Sequence, residues 1–419
     1  MKNIIAQRAL SFPDNPIRGL EPLANQAKAA GINVIPLNIG APDTFSPKPS
    51  IVSAVEFLQN TPALKYGPSA GNPDLIVELS RFYANKCGFT DISPENLMVT
   101  QGASEALDLV FYSIADQDDV IATPDPTYPN YSTIANKNSL KMHALPTDIK
   151  TGFHLSKESL KNLPTNLKAI VWSSPNNPTG AVYQEKELKM LLEISRQRNI
   201  WLIADEVYRS LVFNQDKPGF YRSPSILDYA TTEDKERIIV LDSMSKLLGL
   251  CGARIGSIVA PSELIKTMVK IASTRGCPST ISQAAITSIN EIPDSFFVEN
   301  RTVFQQRRDL FYTKLEELSD LGVVVPPQPP EGAFYLVVEL TGINGVDFAK
   351  WLLVEYPALA KTRETLFITP MLTSSGGFYL DRSRGKSQIR LAYVINNDLL
   401  IKAAEILRKA IPLYLSTRK

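Results

Sequence analysis

Polar residues that could do chemistry recur where short apolar segments end. The clearest groups are Ser-Pro-Asn-Asn-Pro-Thr-Gly at 174–180, Ala-Asp-Glu-Val-Tyr at 204–208, Ser-Met-Ser-Lys at 243–246 and Gly-Ala-Arg-Ile-Gly at 252–256. A lysine amine can form a Schiff base with an aldehyde, and burial near cations lowers its pKa so that it can also carry protons. An arginine offers a planar fork of donors to an anion. Together these groups could support chemistry that rests on a lysine.

Histidine and cysteine are too scarce for several common kinds of site. With only His143 and His154, a multi-histidine metal site is impossible and a histidine-based triad has few candidates. Cys87, Cys251 and Cys277 lie far apart and show no CxxC spacing, so they indicate neither a disulfide framework nor a zinc site. We therefore expect no metal site, and a reducing, cytoplasmic environment.

The elements that must position these groups follow from the apolar pattern. Short β-branched segments predict strands at 96–100, 120–123, 168–173, 200–205, 237–242 and 257–260. Helix-patterned segments lie between them, such as 184–198 with its leucine stripe. This alternation predicts an α/β fold with a mostly parallel sheet covered by helices on both faces. Because ligands of open α/β sheets bind at the carboxyl ends of strands, the polar groups should gather at one edge of the sheet.

The pattern changes after about residue 295. A long charged helix is expected at 299–318, then a proline-rich connector at 326–330 and a strand at 333–338. A final amphipathic helix is expected at 398–411, with Pro412 ending it. We predict a large domain over residues 50–295 and a smaller α+β domain over residues 296–419, and we expect the N-terminal segment, residues 1–49, to be part of the smaller domain.

Composition excludes several classes of protein. The chain has 419 residues, 44% of them hydrophobic and 21% charged, which is ordinary for a folded globular protein of two or three domains. Since 44 basic residues balance 43 acidic ones, no net charge favours nucleic acid or an anionic membrane. No apolar segment approaches the roughly 18 residues of a membrane helix, and residues 1–31 lack the apolar core of a signal peptide.

The order of the polar groups is more specific than any one of them. Alone, a lysine after a strand is usually a solvated charge, and Asn-Pro-Thr-Gly is usually a turn. Asn177, then Asp205 with Tyr208 three residues later, then Ser243-x-x-Lys246 with an arginine eight residues on, resembles the signature of fold-type I pyridoxal-phosphate enzymes. More narrowly, residues 38–393 resemble the class I/II aminotransferases. The resemblance implies that an amino group moves from an amino acid to a 2-oxo acid in ping-pong half-reactions.

The resemblance assigns the central catalytic roles. Lys246 would hold pyridoxal phosphate as a Schiff base, and Asp205 would face the pyridine nitrogen and keep it protonated. Tyr208 and Asn177 would hydrogen-bond the phenolate oxygen of the cofactor. As alternatives from the residues themselves, Asp205 could be a helix cap and Tyr208 could be core packing.

The cofactor phosphate needs fixed donors. Arg254 and Ser243 match the family's phosphate ligands. Gly102, Ala103 and Ser104 match its phosphate loop, where free N–H groups at a helix start bind an anion. A glycine turn into a helix is more often structural, so the loop assignment depends on the others.

Two tyrosines are assigned by their motifs. Tyr128, chosen over Tyr131, would stack on the cofactor ring. Tyr66 resembles the tyrosine that reaches the phosphate of the neighbouring subunit, which implies a homodimer with shared sites. The alternative is a loop tyrosine packed on its own subunit.

Substrate binding is predicted at the other end of the pocket. Arg390 matches the arginine that grips the α-carboxylate, with Asn177 and the Gly40 backbone nearby, although Gly40 could be a plain turn glycine. Arg275 could select an acidic side chain, but an interface or surface role is favoured. The cationic stretch 374–384 could be a mobile flap or a surface insertion.

Other functions remain open on these residues. A carbon–sulfur β-lyase or an aminocyclopropane-carboxylate synthase would share the lysine, aspartate and arginine, and differ only in the fate of the same intermediate. A cofactor-binding regulatory domain is also conceivable, but no basic helix-turn-helix accompanies the motifs. The amino donor and acceptor are not fixed by the motifs.

Overall fold

The computed structural model describes residues 4–10, 12, 14–213, 219–360 and 367–418. The helices are α1 (Gln7–Leu10), α2 (Glu21–Ala29), α3 (Lys48–Asn60), α4 (Pro73–Cys87), α5 (Ala103–Ile114), α6 (Pro129–Lys137), α7 (Glu185–Arg198), α8 (Thr232–Lys235), α9 (Met244–Leu247), α10 (Ser262–Ala272), α11 (Thr280–Ala284), α12 (Asp294–Glu316), α13 (Gly345–Val354), α14 (Tyr356–Ala360) and α15 (Asn397–Thr417). The strands are β1 (Asn33–Pro36), β2 (Leu97–Thr100), β3 (Val120–Asp125), β4 (Lys141–Pro146), β5 (Leu167–Ser173), β6 (Trp201–Asp205), β7 (Ile238–Ser243), β8 (Gly256–Val259), β9 (Val323–Val324), β10 (Tyr335–Leu340), β11 (Ile368–Met371), β12 (Thr373–Ser374) and β13 (Gln388–Ala392).

A mostly parallel sheet forms the centre of the fold. Within the described residues it has seven strands in the order β2-β8-β7-β6-β5-β3-β4, and β8 alone runs antiparallel to its neighbours. The inner strands are apolar and buried along nearly their whole length, because helices cover both faces. The predicted α/β architecture is confirmed, and β5, β6 and β7 end side by side.

In the central sheet the strand predictions agree with the structure to within two residues, but one strand of that sheet, β4, was missed. Outside that sheet β1, β9, β11, β12 and β13 were not predicted either. β4 pairs in parallel with β3 at the edge of the sheet. Its residues are mostly half-exposed, so it lacks the continuous apolar segment that marks the buried strands. An edge strand of this kind leaves little signal in the sequence.

A second region is built from the C-terminal part and the N-terminal segment. Its four-stranded antiparallel sheet, within the described residues, has the order β12-β13-β10-β9. β1 pairs in parallel with β11, which joins the N-terminal segment to this region. α12 is one continuous helix that crosses the predicted domain boundary: Phe297 packs in the core of the large region, and Phe304 and Leu315 pack in the second core. The exact boundaries stay a prediction.

The last helix contradicts the sequence prediction at its end. α15 continues to Thr417 with Pro412 inside it, although proline removes a backbone donor and usually ends a helix. Tyr414, beyond the proline, is buried against Phe348 and Trp351, with ring centroids 5.2 Å from both. Burial of this aromatic contact offsets the lost hydrogen bond and keeps the last turn helical.

A buried ionic cluster lies beneath the carboxyl ends of β6 and β7. Arg209 and Asp242 are both 0% exposed, with Arg209 Nε 3.2 Å from Asp242 Oδ2. Arg209 Nη2 also lies 3.5 Å from Glu206 Oε2, and the Tyr83 hydroxyl donates to Asp242 at 3.1 Å. Glu206 follows Asp205 in the chain and Asp242 precedes Ser243, so the cluster fixes the backbone that carries both predicted cofactor residues.

Arg209→Met should therefore lower the free energy of unfolding strongly. The substitution leaves Glu206 and Asp242 buried without their nearest cation, which costs about 3–5 kcal/mol. Urea unfolding followed by circular dichroism measures the change. Lys266→Met is the matched control, because its partner Glu263 lies on an exposed helix face, and it should change stability little. Equal stabilities for the two variants would contradict the importance of the cluster.

Candidate active site

A pocket of about 350 Å³ lies at the carboxyl ends of β5, β6 and β7, between the two regions. Most of the residues predicted from the sequence line it: Gly40, Ala103, Ser104, Tyr128, Asn177, Asp205, Tyr208, Ser243, Lys246, Arg254 and Arg390. Gly102 adjoins the lining, and Tyr66 and Arg275 lie outside it. The sheet has thus brought together side chains that are up to 350 positions apart in the chain.

Lys246 is held inside the pocket on the short helix α9. The Ser243 hydroxyl caps this helix by accepting from the Ser245 backbone N–H at 3.2 Å. The Lys246 ammonium donates to the Gly40 carbonyl, lies 5.5 Å from the centre of the Phe334 ring and is 3.6 Å from the Cys251 sulfur. Its contacts are with neutral groups, which leaves the amine available to a ligand in the pocket.

Asp205 is a buried carboxylate at the end of β6. Its Oδ2 accepts a hydrogen bond from the Tyr131 hydroxyl at 2.8 Å, and its Oδ1 accepts from Val207 N at 3.4 Å. Burial raises the pKa of Asp205 to about 6, against the lowering effect of these two hydrogen bonds. The carboxyl is therefore mostly ionised at neutral pH, as a partner for a protonated ring nitrogen must be.

Tyr131 received no role from the sequence, yet it is the direct partner of Asp205. Its ring meets the Tyr128 ring edge to face, with centroids 5.8 Å apart. Tyr131 is buried and its hydroxyl is bonded to Asp205, whereas Tyr128 is only half-buried and is the more open of the two. The predicted choice of Tyr128 over Tyr131 for ring stacking is compatible with this arrangement.

An anion cradle lies where α5 begins. Gly102 precedes this helix with φ of 80°, and no described side chain caps the helix start. A Cβ on Gly102 would lie 2.6 Å from the Arg254 guanidinium, so the guanidinium approaches the backbone as only a glycine permits. Uncapped N–H groups and a cation at one place fit a phosphate. The Ser243 hydroxyl already lies 3.1 Å from its acceptor Ile255 O, so its phosphate contact remains a prediction.

Arg390 occupies the far end of the pocket and is 0% exposed. Nη1 donates to Asn177 Oδ1 at 3.1 Å, and Nη2 donates to the Asn38 carbonyl. The Tyr335 and Phe378 rings lie 4.5 Å and 4.8 Å from the guanidinium carbon. Among the described residues no carboxylate pairs with Arg390, and its buried Nε–H has no acceptor.

Tyr335 connects the two ends of the pocket, although no sequence prediction assigned it a role. Its hydroxyl lies 3.0 Å from the Tyr208 hydroxyl, and its ring packs on Arg390. A Cβ on Gly40 would overlap the Tyr335 hydroxyl, so position 40 must be glycine for packing alone. The motif Gly-Ala-Phe-Tyr at 332–335, which ends in this tyrosine, is the sequence signal that could have found it.

Comparison with known proteins decides the family. The family model "Aminotransferase class I and II" matches residues 32–369. The chain belongs to this family. An aspartate aminotransferase of Bacillus subtilis is 30% identical over 419 residues, covering 97% of this chain and 98% of that protein.

Solved aminotransferases have the same fold as this chain. The alanine aminotransferase of Pyrococcus furiosus superposes with a TM-score of 0.85 at 26% identity, covering 97% of this chain and 99% of that one. An aspartate aminotransferase of Thermus thermophilus superposes with a TM-score of 0.83 at 25% identity, covering 98% of this chain and all of that one. The predicted fold-type I architecture and aminotransferase function are confirmed, and the lyase alternative gains no support. The family depends on pyridoxal phosphate.

Three sequence predictions lie outside the pocket of this aminotransferase. Tyr66 is 95% exposed and is not packed on its own chain. The Arg275 guanidinium donates to Glu105 and to the Gly276 carbonyl, so within its own chain it serves the structure. The stretch 374–384 is anchored in the fold at Phe378, which is buried. None of the described helices is long and apolar enough to span a membrane.

The N-terminal segment contributes residues that were also missed. Asn15, Ile17 and Arg18 line the pocket, and the Asn38 side chain donates to the Ile17 carbonyl at 3.1 Å. No local pattern near residue 15 points to an active site, because the segment is held at the pocket by contacts with distant parts of the chain, including the pairing of β1 with β11.

Tyr131→Phe should destabilise the cofactor-free aminotransferase in a pH-dependent way. At about pH 8 Asp205 is ionised, and losing a hydrogen bond to a charged acceptor costs about 1.5–3 kcal/mol. As the pH falls through the pKa of Asp205, near 6, the carboxyl becomes neutral and the loss should shrink. Urea unfolding at about pH 8 and about pH 5 measures both values.

Tyr112→Phe is the control for this substitution, because Tyr112 is 65% exposed and should show no effect at either pH. A Tyr131→Phe loss that is the same at both pH values would mean that the tyrosine does not act through Asp205.

Proposed function

We propose that this aminotransferase exchanges an amino group between an α-amino acid and a 2-oxo acid, with Arg390 gripping the α-carboxylate and Lys246 at the reacting carbon. The observation that carries the proposal is the state of Arg390. A fully buried cation is costly when it has no carboxylate partner, and among the described residues Arg390 has none, nor an acceptor for its Nε–H. An α-carboxylate, which both substrates share, supplies the missing charge and a planar pair of acceptors.

The residues of the pocket fit pyridoxal phosphate. Lys246 would hold it covalently, and the start of α5 with Arg254 would bind its phosphate. Asp205 would face its ring nitrogen, while Asn177 and Tyr208 would bind its phenolate oxygen; Tyr128 would cover its ring. When bound, the cofactor supplies a sink for the electrons that remain when a proton leaves the substrate Cα.

The chain's own groups would then divide the work. Lys246 is the base that would take the Cα proton and return it, since it is the one lysine among the described residues that line the pocket. Asp205 would stay ionised and hold the ring nitrogen in its protonated form, steadied by Tyr131. Arg390 would orient the substrate through a guanidinium that is already fixed by Asn177 and Asn38.

Large apolar side chains are exposed at several positions between residues 45 and 66, which supports a homodimer. Phe45 is 92% exposed, Leu64 is 54% exposed and Tyr66 is 95% exposed. On α3, between them, Ile51 and Val55 are also exposed. Large apolar side chains clustered on a surface mark an interface. We propose that a second copy covers them and that Tyr66 reaches the phosphate site of that copy.

Mixed dimers should test the shared site. When Lys246→Ala chains are combined with Tyr66→Phe chains, one site of the hybrid should carry both defects and the other neither. The differently tagged hybrid, isolated by two affinity steps, should therefore keep about half of the wild-type activity, as one intact site of two requires. If Tyr66 serves its own subunit, one site of the hybrid lacks Lys246 and the other lacks the Tyr66 hydroxyl, so the hybrid should keep at most half of the activity of the Tyr66→Phe homodimer.

Arg390→Lys should weaken the use of amino acids, because lysine cannot offer a bidentate fork. The expected loss in kcat/KM corresponds to about 2–5 kcal/mol, the range for losing a partner of a buried charge pair. The measurement is a half-reaction with an amino acid alone, compared with the amine that lacks its carboxylate. Wild type should release one 2-oxo acid per site and prefer the amino acid strongly, and the variant should lose most of that preference.

Two results of the same experiment would contradict the proposal. Undiminished discrimination in Arg390→Lys would mean that the carboxylate is held elsewhere. Continuous release of ammonia or thiol by the wild type, without a 2-oxo acid acceptor, would indicate lyase chemistry.

A further inference from the structure

Residues 375–384, called here the clasp segment, leave the second region and cross to the large region beside the pocket. The segment begins with a short 3₁₀ turn at Ser375–Phe378. A Cβ on Gly377 would overlap Pro16, so the N-terminal segment is packed tightly against it. The first part of the clasp segment is therefore packed against another part of the chain.

The large region holds the clasp segment at the ends of β3 and β4. The Thr127 N–H donates to the Phe378 carbonyl at 2.9 Å. The Leu380 N–H donates to Asp125 Oδ1 at 2.7 Å, and Asp125 is fully buried. Arg384 donates to the Thr147 carbonyl at 2.6 Å and lies 3.7 Å from Asp125 Oδ2. Asp125 thus anchors the clasp segment through two of its residues, Leu380 and Arg384.

The same segment touches the predicted substrate arginine. The Phe378 ring lies 4.8 Å from the Arg390 guanidinium carbon and is itself buried. Nη1 and Nη2 of Arg390 are held by Asn177 and Asn38, so the Phe378 and Tyr335 rings are what limit tilting of the guanidinium plane. The hydrogen bond from Thr127, one residue before Tyr128, helps to hold the Phe378 backbone in this position.

We propose that Phe378 is a positioning residue for Arg390 and that Asp125 is the anchor that holds Phe378 in place. The clasp segment connects Arg390 on β13 to the backbone that carries Tyr128. It would therefore fix the position of the substrate carboxylate relative to the cofactor ring. This inference rests on the proposed grip of Arg390 on the α-carboxylate. It gives the cationic stretch before Arg390 a role in substrate geometry.

Asp125→Asn in the holoenzyme tests the anchor. The amide keeps the volume of the side chain but turns donors toward the Leu380 N–H or toward Arg384, which weakens the anchoring. We expect the KM for the amino acid to rise about ten-fold or more, with a smaller change in kcat and with unchanged affinity for pyridoxal phosphate. Asp381→Asn is the matched control, because Asp381 is exposed and, in the part of the chain that the structure describes, its side chain bonds only Ser383 beside it. It should behave as the wild type.

Phe378→Leu tests the ring without emptying its site. Loss of a desolvated cation–π contact should raise the KM about three- to thirty-fold and reduce the preference for the amino acid over its amine analogue. An unchanged KM in both Asp125→Asn and Phe378→Leu would overturn the proposal. Equal losses of kcat, cofactor affinity and thermal stability would also overturn it, since they indicate a general structural role.

The outcome for Arg390→Lys separates the two proposals. If that variant loses the preference for carboxylate and the clasp variants do not, the clasp proposal alone fails. If Arg390→Lys keeps the preference, the proposal that Arg390 binds the α-carboxylate fails, and the clasp proposal, which rests on it, fails as well.

Discussion

A buried cation without a counter-ion sets the layout of the pocket. The guanidinium of Arg390 has two amide or carbonyl acceptors and two aromatic neighbours, but no carboxylate among the described residues. Several features of the pocket hold the guanidinium in place without neutralising its charge. Gly40 must lack a side chain so that Tyr335 can pack there, and Asn38 supplies a backbone carbonyl from the N-terminal segment. A guanidinium held in this way is preorganised for the carboxylate that we propose it binds, and preorganisation reduces the cost of binding.

At the opposite end of the pocket the buried charged group is an anion. Asp205 is a buried anion whose burial raises its pKa to about 6, so it is poised to pair with a cation of the ligand. Beneath Asp205, Arg209 forms ion pairs with Glu206 and Asp242 in the buried ionic cluster. The ionic cluster holds the backbone next to Asp205, and its two anions, Glu206 and Asp242, add to the effect of burial in raising the pKa of Asp205.

Much of the site could be predicted from the sequence because it depends on local order along the chain. Asn177, Asp205 and Lys246 each come directly after an apolar strand, and parallel strands that end together bring the residues beyond their ends to one place. Tyr131, Tyr335 and Asn15 were missed because their roles depend on contacts between distant segments. Edge strand β4 and the helical turn after Pro412 were missed for related reasons: one lacks a buried apolar segment, and the other persists only through the packing of Tyr414. Short-range pattern thus predicted residues that line the pocket better than the residues that hold them in place.

The continuous helix α12 has a mechanical consequence. It starts in the core of the large region, around Phe297, and ends in the second core, around Leu315, with no loop between them. A loop at such a junction would act as a free pivot, whereas an uninterrupted helix resists sharp bending and keeps its i→i+4 hydrogen bonds. Any movement of one region against the other would then bend α12 slightly along its length. The stiffness of α12 therefore limits how far the large region, which carries Lys246, and the second region, which carries Arg390, can turn against each other.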